Sequence, residues 1–312
     1  MTAVNIALSK LFFGAPRQFK ALTMFPLNQS EAKAPNYVTL DEALNKGFVE
    51  VSEISESGSA PHLKLVNRGP ESVLLLDGEE LVGAKQNRVL NMSIMAPGNS
   101  EIVIPVSCVE AGRWNYRSRG FKSAGRVQFN RGRAKKVASV SASMMEANVP
   151  RSDQGEVWDE IADKGRRMRS SSATGAMSDI FEDYGAKIDA YVAAMTPSID
   201  QVGGVFFIGG RVAGMDLFDC PATFAKQSPK LLRGYALDAV EQEDQSPRTP
   251  STQEAVDWIE TLKLASQESY PAVGIGRSVR INDRKLVGAA LEVEQESIHV
   301  YAAPVMDDMV FA

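Results

Sequence analysis

Residues 71–91, ESVLLLDGEELVGAKQNRVLN, hold short apolar runs of Val and Leu separated by Asp, Gly, Gln and Asn. Runs of this length bounded by turn residues read as β-strands. Asp77-Gly78 has the residue types of a type I′ turn, so the runs on either side of it are expected to form a hairpin. The same pattern continues outward through FKALTMFPL (19–27), GFVEVSEI (47–54), PHLKLVN (61–67) and EIVIPVSCVE (101–110). The exception is LDEALNK (40–46), a helix that Thr39 can cap, that Asp41 and Glu42 favour through its dipole, and that Gly47 can close.

Beyond Ser152 the period changes. EVWDEIADKGRRM (156–168) and MSDIFEDYGAKIDAYVAAM (177–195) place apolar residues three or four apart, which predicts helices, and Pro197 ends the second. Gly209-Gly210 suits a tight hairpin between VGGVFFI and RVAGMDLF. Asp219 is placed to cap a helix through FAKQSPKLLRGYALDAVE, which Pro229 should delay or break. A polar loop, EQEDQSPRTPSTQ (241–253), precedes a helix over EAVDWIETLKLASQ capped by Ser251 or Thr252, and a strand meander follows from 276 to 305. Elements grouped in this way favour an α+β fold. Its β-rich first half (1–145) would be an antiparallel sandwich or barrel-like, followed by helices and antiparallel hairpins (146–312), with packing as a single domain left open.

The composition excludes several classes. Of 312 residues, 44% are hydrophobic and 23% charged, as in globular proteins and unlike disordered or collagenous chains. No apolar stretch approaches the eighteen or so residues of a membrane span, and the N-terminus lacks a signal-peptide pattern, so no membrane role and a cytoplasmic location are expected. With only Cys108, Cys220, His62 and His299, neither a disulfide framework nor a metal cluster is supported. The net charge of −5 is unevenly spread. Residues 111–145 carry nine cations and no acid (Arg113, Arg117, Arg119, Lys122, Arg126, Arg131, Arg133, Lys135 and Lys136), so removing these nine charges from −5 leaves −14 for the rest. Gly and Ser in this stretch predict a basic loop. Its interleaved Trp114, Tyr116, Phe121 and Phe129 would suit a lid over an anionic ligand or a single-stranded nucleic-acid surface.

The functional side chains concentrate in 77–91 and in IPVSCVEAGRW (104–114). A strand over 102–110 would deliver Ser107, Cys108 and Glu110 to one edge, beside Arg113 and Trp114. Lys85, Arg88 and Arg113 suit a phosphate, because Lys brings a point charge and Arg a planar fork. Trp114 offers a ring face, and Gln86 and Asn87 offer donors and acceptors for orienting a ligand. Glu80 and Glu110 could work as a general acid and base, and Cys108 as a nucleophile if neighbouring cations lower its pKa. The opposing interpretation is that these polar groups only satisfy one another at buried strand ends.

The run LLLDGEELVGAKQNRVLN followed by IPVSCVEAGRW, with GYALDA and IHVYAA later, resembles the uncharacterised prokaryotic domain family associated with ADP-ribosylglycohydrolase and the rhodanese/phosphatase superfamily. The likeness spans roughly residues 20 to 303. Its motif positions here include Gly78, Glu80, Gly83, Lys85, Gln86, Asn87, Arg88, Ser107, Cys108, Glu110, Gly112, Arg113 and Trp114. The resemblance implies a role around ADP-ribose or another phosphorylated nucleotide-like metabolite, as a binder, hydrolase or transferase, and names no cofactor. The alternatives from other classes are a single-stranded nucleic-acid-binding module using 113–136 and a non-catalytic scaffold subunit.

Overall fold

The computed structural model describes residues 1–31, 33–243 and 248–306; residues 244–247 of the expected polar loop lie outside them. The fold is α+β, with antiparallel sheets predominating and a β-rich N-terminal half. No described helix is long and apolar enough to cross a membrane.

A six-stranded antiparallel sheet organises the first half. Its strands run in the order Phe121–Val127, Glu79–Gly83, Arg88–Leu90, Ser100–Cys108, His62–Asn67 and Val49–Glu53. The two ends meet at a bridge between Ser52 and Gly120, so the sheet curls into a small barrel-like body. Alternation explains its core: Val49 and Val51 face in while Glu50 faces out, and Leu63, Leu65, Leu81, Leu90, Ile104, Val106 and Phe121 fill the same interior. Thr39 caps the helix Leu40–Asn45 in a full capping box with Glu42, as its sequence predicts.

A nine-stranded sheet crosses the 145/146 boundary. Leu22–Gln29 from the N-terminal part pairs with Gln201–Ile208, which turns through Gly209-Gly210 into Arg211–Phe218 and continues to Glu296–Pro304. The helix Pro221–Glu241 lies across both bodies, packing on Gln201–Ile208 and on Phe121–Val127.

Four local expectations are corrected. Asp77-Gly78 is not a hairpin turn, because Ser72–Leu75 pairs with Ile94–Ala96 and Tyr37–Thr39 in a separate three-stranded sheet. The turn passes the chain from one sheet to another. Asp219 accepts a hydrogen bond from Tyr37 Oη at 2.5 Å rather than capping a helix, which begins at Pro221 beside Cys220. Pro229 sits inside that helix without ending it, since Ser228 Oγ donates to the Ala225 carbonyl that proline leaves unbonded. Finally, residues 111–145 are not one loop, because they contain the strand Phe121–Val127 and the helix Asn130–Ala147.

Asp77 takes part in a buried ionic cluster instead. Arg133 Nε donates to Asp77 at 3.2 Å, Arg133 Nη2 lies 2.9 Å from Asp216, and Lys136 bonds Asp77 and, at 2.8 Å, the Leu90 carbonyl. His299 bridges Asp216 at 3.0 Å and Ser93 at 2.8 Å, and Tyr235 Oη donates to Asp216 at 2.8 Å. Gly78, at φ +77°, lets the Arg133 chain through: a Cβ there would stand 3.0 Å from Arg133 Cδ. Burial alone would raise the Asp216 carboxyl, but Arg133 and the His299 hydrogen bond outweigh it and hold it at about 2.

Removing Arg133 would leave two buried carboxylates without their shared cation. Arg133→Met is therefore expected to lose about 3–5 kcal/mol of stability, measured by urea unfolding. The acid limb follows from Asp216. Its folded pKa lies below the ordinary 3.8, so its stabilisation is present above that value and lost as pH falls through about 2. Urea midpoints taken from pH 5 to pH 2 should therefore fall less steeply for Asp216→Asn than for the wild-type chain.

Candidate functional site

Six strand ends meet at one mouth of the barrel-like sheet, as the register shows. Cys108 pairs opposite Arg88, Leu81 opposite Arg88, Phe121 opposite Gly83, Pro105 opposite His62, and Glu53 opposite Leu63. The two-residue period puts Glu53 in phase with Val51, Arg88 with Leu90, and Cys108 with Val106. These three polar residues thus form the top layer of an otherwise apolar interior. Ligand sites recur at the mouths of β-barrels, where loops cover a rigid frame.

Arg88 is fully buried, and Nη1 bonds Gln86 Oε1 at 3.1 Å. Its Nε and Nη2 have no hydrogen-bond acceptor, and the nearest carboxylate oxygen, Glu53 Oε1, is 3.9 Å away. The guanidinium lies 5.4 Å from the ring centre of Trp114, which is 42% exposed. Lys85 Nζ is held between Trp114 and Tyr116, 5.4 and 5.0 Å from their ring centres, and donates to the Ser57 carbonyl at 2.9 Å. Tyr116 Oη reaches the Glu56 carbonyl at 3.3 Å, so the loops 54–61 and 112–119 touch across the mouth. The surroundings of Cys108 disfavour its thiolate. Burial, the largest influence, pushes its thiol up to about 11 despite Arg88, and Sγ points to the Ala60 carbonyl at 3.7 Å.

A second group of the sequence-predicted residues forms the packing beside this layer. Arg113 donates to the carbonyls of Ala84 at 2.7 Å and Asn115 at 2.8 Å, to Asn87 Oδ1 at 3.2 Å and to Glu110 at 2.7 Å. Gln86 Nε2 bonds the Glu110 carbonyl at 2.8 Å, and the Asn87 N–H bonds Glu110 Oε2 at 3.2 Å. Burial would raise the Glu110 carboxyl, but hydrogen bonds from Arg113, Thr174 and the Asn87 N–H prevail and hold it below the usual range. Glu80 sits apart with Arg126 Nε at 2.5 Å. Burial pushes its carboxyl upward against the pull of Arg126, and Glu110 adds to the rise.

The basic stretch turns largely inward. Arg126 pairs with Glu80, Arg131 and Lys135 with Glu160, and Arg133 and Lys136 with the buried cluster. Arg117, Arg119 and Lys122 face solvent, with Arg117 3.8 Å from Glu110. A cavity of about 660 Å³ elsewhere is lined by Arg131, Arg167, Arg211, Asp238 and Glu241. Its charged walls are largely paired, Arg167 with Glu241 at 2.5 Å and both acids with Lys164, so it shows less unmet hydrogen-bonding capacity than the mouth.

The motif strands, the mouth and the second-half sheet thus fall within one pattern of sequence. The profile of the ARG and Rhodanese-Phosphatase-superfamily-associated Protein domain, ARPP-1, matches residues 10–303. The chain belongs to this family. No curated protein and no solved structure matches it. Within the ARPP-1 domain, sequence reasoning missed Glu53, Ser57 and Thr174. Glu53 had a signal, being the polar end of the inward phase Val49, Val51, Glu53. Ser57 acts through its carbonyl, which residue type does not reveal.

Arg113 ties the loop 83–87 to the segment 110–115, and its removal leaves buried Glu110 with only the 3.8 Å approach of exposed Arg117. Arg113→Ala is expected to cost about 3 kcal/mol or more, read by chemical denaturation. A neutral effect would free Arg113 from this positioning role.

Proposed function

We propose that this ARPP-1 domain binds a phosphorylated, nucleotide-like metabolite such as ADP-ribose at the barrel mouth. The observation that carries this is Arg88: a buried guanidinium with two nitrogens lacking acceptors, stacked under a half-open tryptophan. A buried donor without a partner is costly, and an anion is the group that relieves it. Lys85 supplies a second cation once its contact with Ser57 is exchanged for the ligand. Trp114 and Tyr116 offer ring faces for a base, while Gln86, Asn87, Glu110 and Arg113 hold the frame. The family name, with its link to ADP-ribosylglycohydrolase, points the same way.

Hydrolysis or transfer of part of the ligand is the catalytic extension of this proposal. Its candidate acid and base are Glu80, whose carboxyl is shifted upward by burial, and Glu110, whose carboxyl is shifted downward, against burial, by hydrogen bonds from Arg113 and Thr174; each would have to exchange its present partner, Arg126 or Arg113, for the ligand. The two free cysteines, both buried, fit a reducing compartment such as the cytoplasm. The rival surface is the exposed set Arg117, Arg119 and Lys122 with Trp114 and Tyr116, which would hold single-stranded nucleic acid by charge and stacking. Internal pairing of the other basic residues leaves it few cations, which favours the metabolite.

The test is a tryptophan-fluorescence titration with ADP-ribose, in which Trp158 and Trp258 serve as internal references. Saturable quenching that disappears in Trp114→Phe, together with an affinity loss of about 2 kcal/mol or more in folded Arg88→Met, is the expected result. A response to single-stranded RNA alone, collapsing with added salt, would transfer the function to the exposed loop. Silence towards both ligands would remove both assignments and leave a scaffold.

A further inference from the structure

We infer that Glu53 makes the mouth selective for a ligand carrying a ribose hydroxyl beside its anionic group, and that a bare phosphate or pyrophosphate is a poor occupant. This rests on the nucleotide assignment above and narrows it.

Glu53 ends the inward phase of its strand and is 7% exposed. Its Oε1 accepts from the Lys85 N–H at 3.3 Å and faces Arg88 at 3.9 Å. Its Oε2 is buried and accepts from nothing. The loop above it fixes the neighbourhood of that oxygen. A Cβ built on Gly58 would lie 3.2 Å from Glu53 Oε2, 3.2 Å from Trp114 Cζ2 and 3.1 Å from Lys85 Cδ. Glu53 Oε2, the Trp114 ring edge and the Lys85 stem therefore converge closely around Gly58, with the unpaired Arg88 Nη2 3.9 Å from Glu53 Oε1.

These groups make different demands. The Arg88 nitrogens only donate and call for an anion, whereas an ionised carboxylate only accepts and calls for an N–H or O–H. An inorganic phosphate dianion keeps one P–O–H that can donate to Glu53 Oε2, but in doing so it sets its remaining negative charge directly against that carboxylate, with no neutral group between them. A sugar hydroxyl next to a phosphate meets both, because the O–H donates to Oε2 while the phosphate oxygens accept from Arg88. A base attached to the same sugar then reaches Trp114. Sites built to hydrogen-bond a hydroxyl discriminate strongly against analogues that lack it, because the site's own polar atom is left unpaired.

The experiment is calorimetric titration of the full chain with ADP-ribose, with analogues each lacking one ribose hydroxyl, and with inorganic pyrophosphate. At least one analogue should bind the wild-type protein about 10- to 100-fold more weakly than ADP-ribose, and pyrophosphate should fail to compete. In Glu53→Ala the analogue and ADP-ribose should bind alike. Equal binding of all the analogues to the wild-type protein, with Arg88 and Trp114 still required, would overturn the role of Glu53 and leave the nucleotide site standing. Discrimination that persists unchanged in Glu53→Ala would also overturn it, by assigning the hydroxyl to another residue. Absence of any ADP-ribose binding would remove the site itself. The analogue series on the wild-type chain needs no substitution, so it decides the question even where Glu53→Ala does not fold.

Discussion

The Arg133 guanidinium, buried between Asp77 and Asp216, is the interaction on which the arrangement of this domain depends. A charge in a protein interior persists only when it is paired and hydrogen-bonded, so the three residues fix their backbones relative to one another. Asp77 belongs to the link between the three-stranded sheet and the barrel-like sheet, Asp216 to the nine-stranded sheet, and Arg133 to the helix Asn130–Ala147. His299 and Ser93 extend the same tie from the nine-stranded sheet back to the segment between Arg88–Leu90 and Ile94–Ala96. Apolar packing would tolerate sliding between these bodies, whereas bidentate ion pairs do not. The barrel mouth inherits that rigidity, because Glu79–Gly83 begins directly after Asp77-Gly78 and carries the chain to Ala84 and Lys85.

This cluster also marks the limit of what the sequence disclosed. Period-two and period-3.6 patterns located most of the long core strands and the helices after Ser152 but not the helices Ala3–Ser9 and Asn130–Ala147 or the strand Phe121–Val127, and Thr39 and Ser251 cap as their side chains predict. Patterns of that kind report which face of an element is buried, not which element covers it. Asp77-Gly78 has hairpin chemistry, yet the strand after it pairs with Phe121–Val127 and Arg88–Leu90 because Asp77 is drawn inward by Arg133 and Lys136. The cations of 111–145 show in the sequence as charges, but the pairing of most of them does not, because several of their acidic partners lie as far along the chain as Glu160 and Asp216. At Pro229 the remedy is local instead: the neighbouring Ser228 hydroxyl donates to the Ala225 carbonyl, and the helix continues.

The candidate site divides in the same manner. Residue types and spacing brought Lys85, Arg88, Cys108 and Trp114 together correctly as neighbours, but they could not separate groups whose bonds are complete from groups whose bonds are open. Arg113 and Glu110 look like ligand-binding residues in the sequence, and in the fold they hold each other, Asn87 and three loop carbonyls. Cys108 looks activated by its cationic neighbour, yet burial weighs more than Arg88 and leaves a neutral thiol.

Hydrogen-bond accounting supplies the missing distinction. In a buried layer the satisfied polar groups explain themselves, since each offsets the desolvation of its partner. Arg88 Nε, Arg88 Nη2 and Glu53 Oε2 do not explain themselves, and they are opposite in character, two donors and one acceptor. They would cancel if they met, but Glu53 Oε1 stands 3.9 Å from Arg88 Nη2, beyond hydrogen-bonding reach, with Oε2 turned towards Gly58 and Trp114. On the proposed reading, a donor and an acceptor held apart in this way are a preorganised pair, because the cost of separating them is borne by the fold before any ligand arrives.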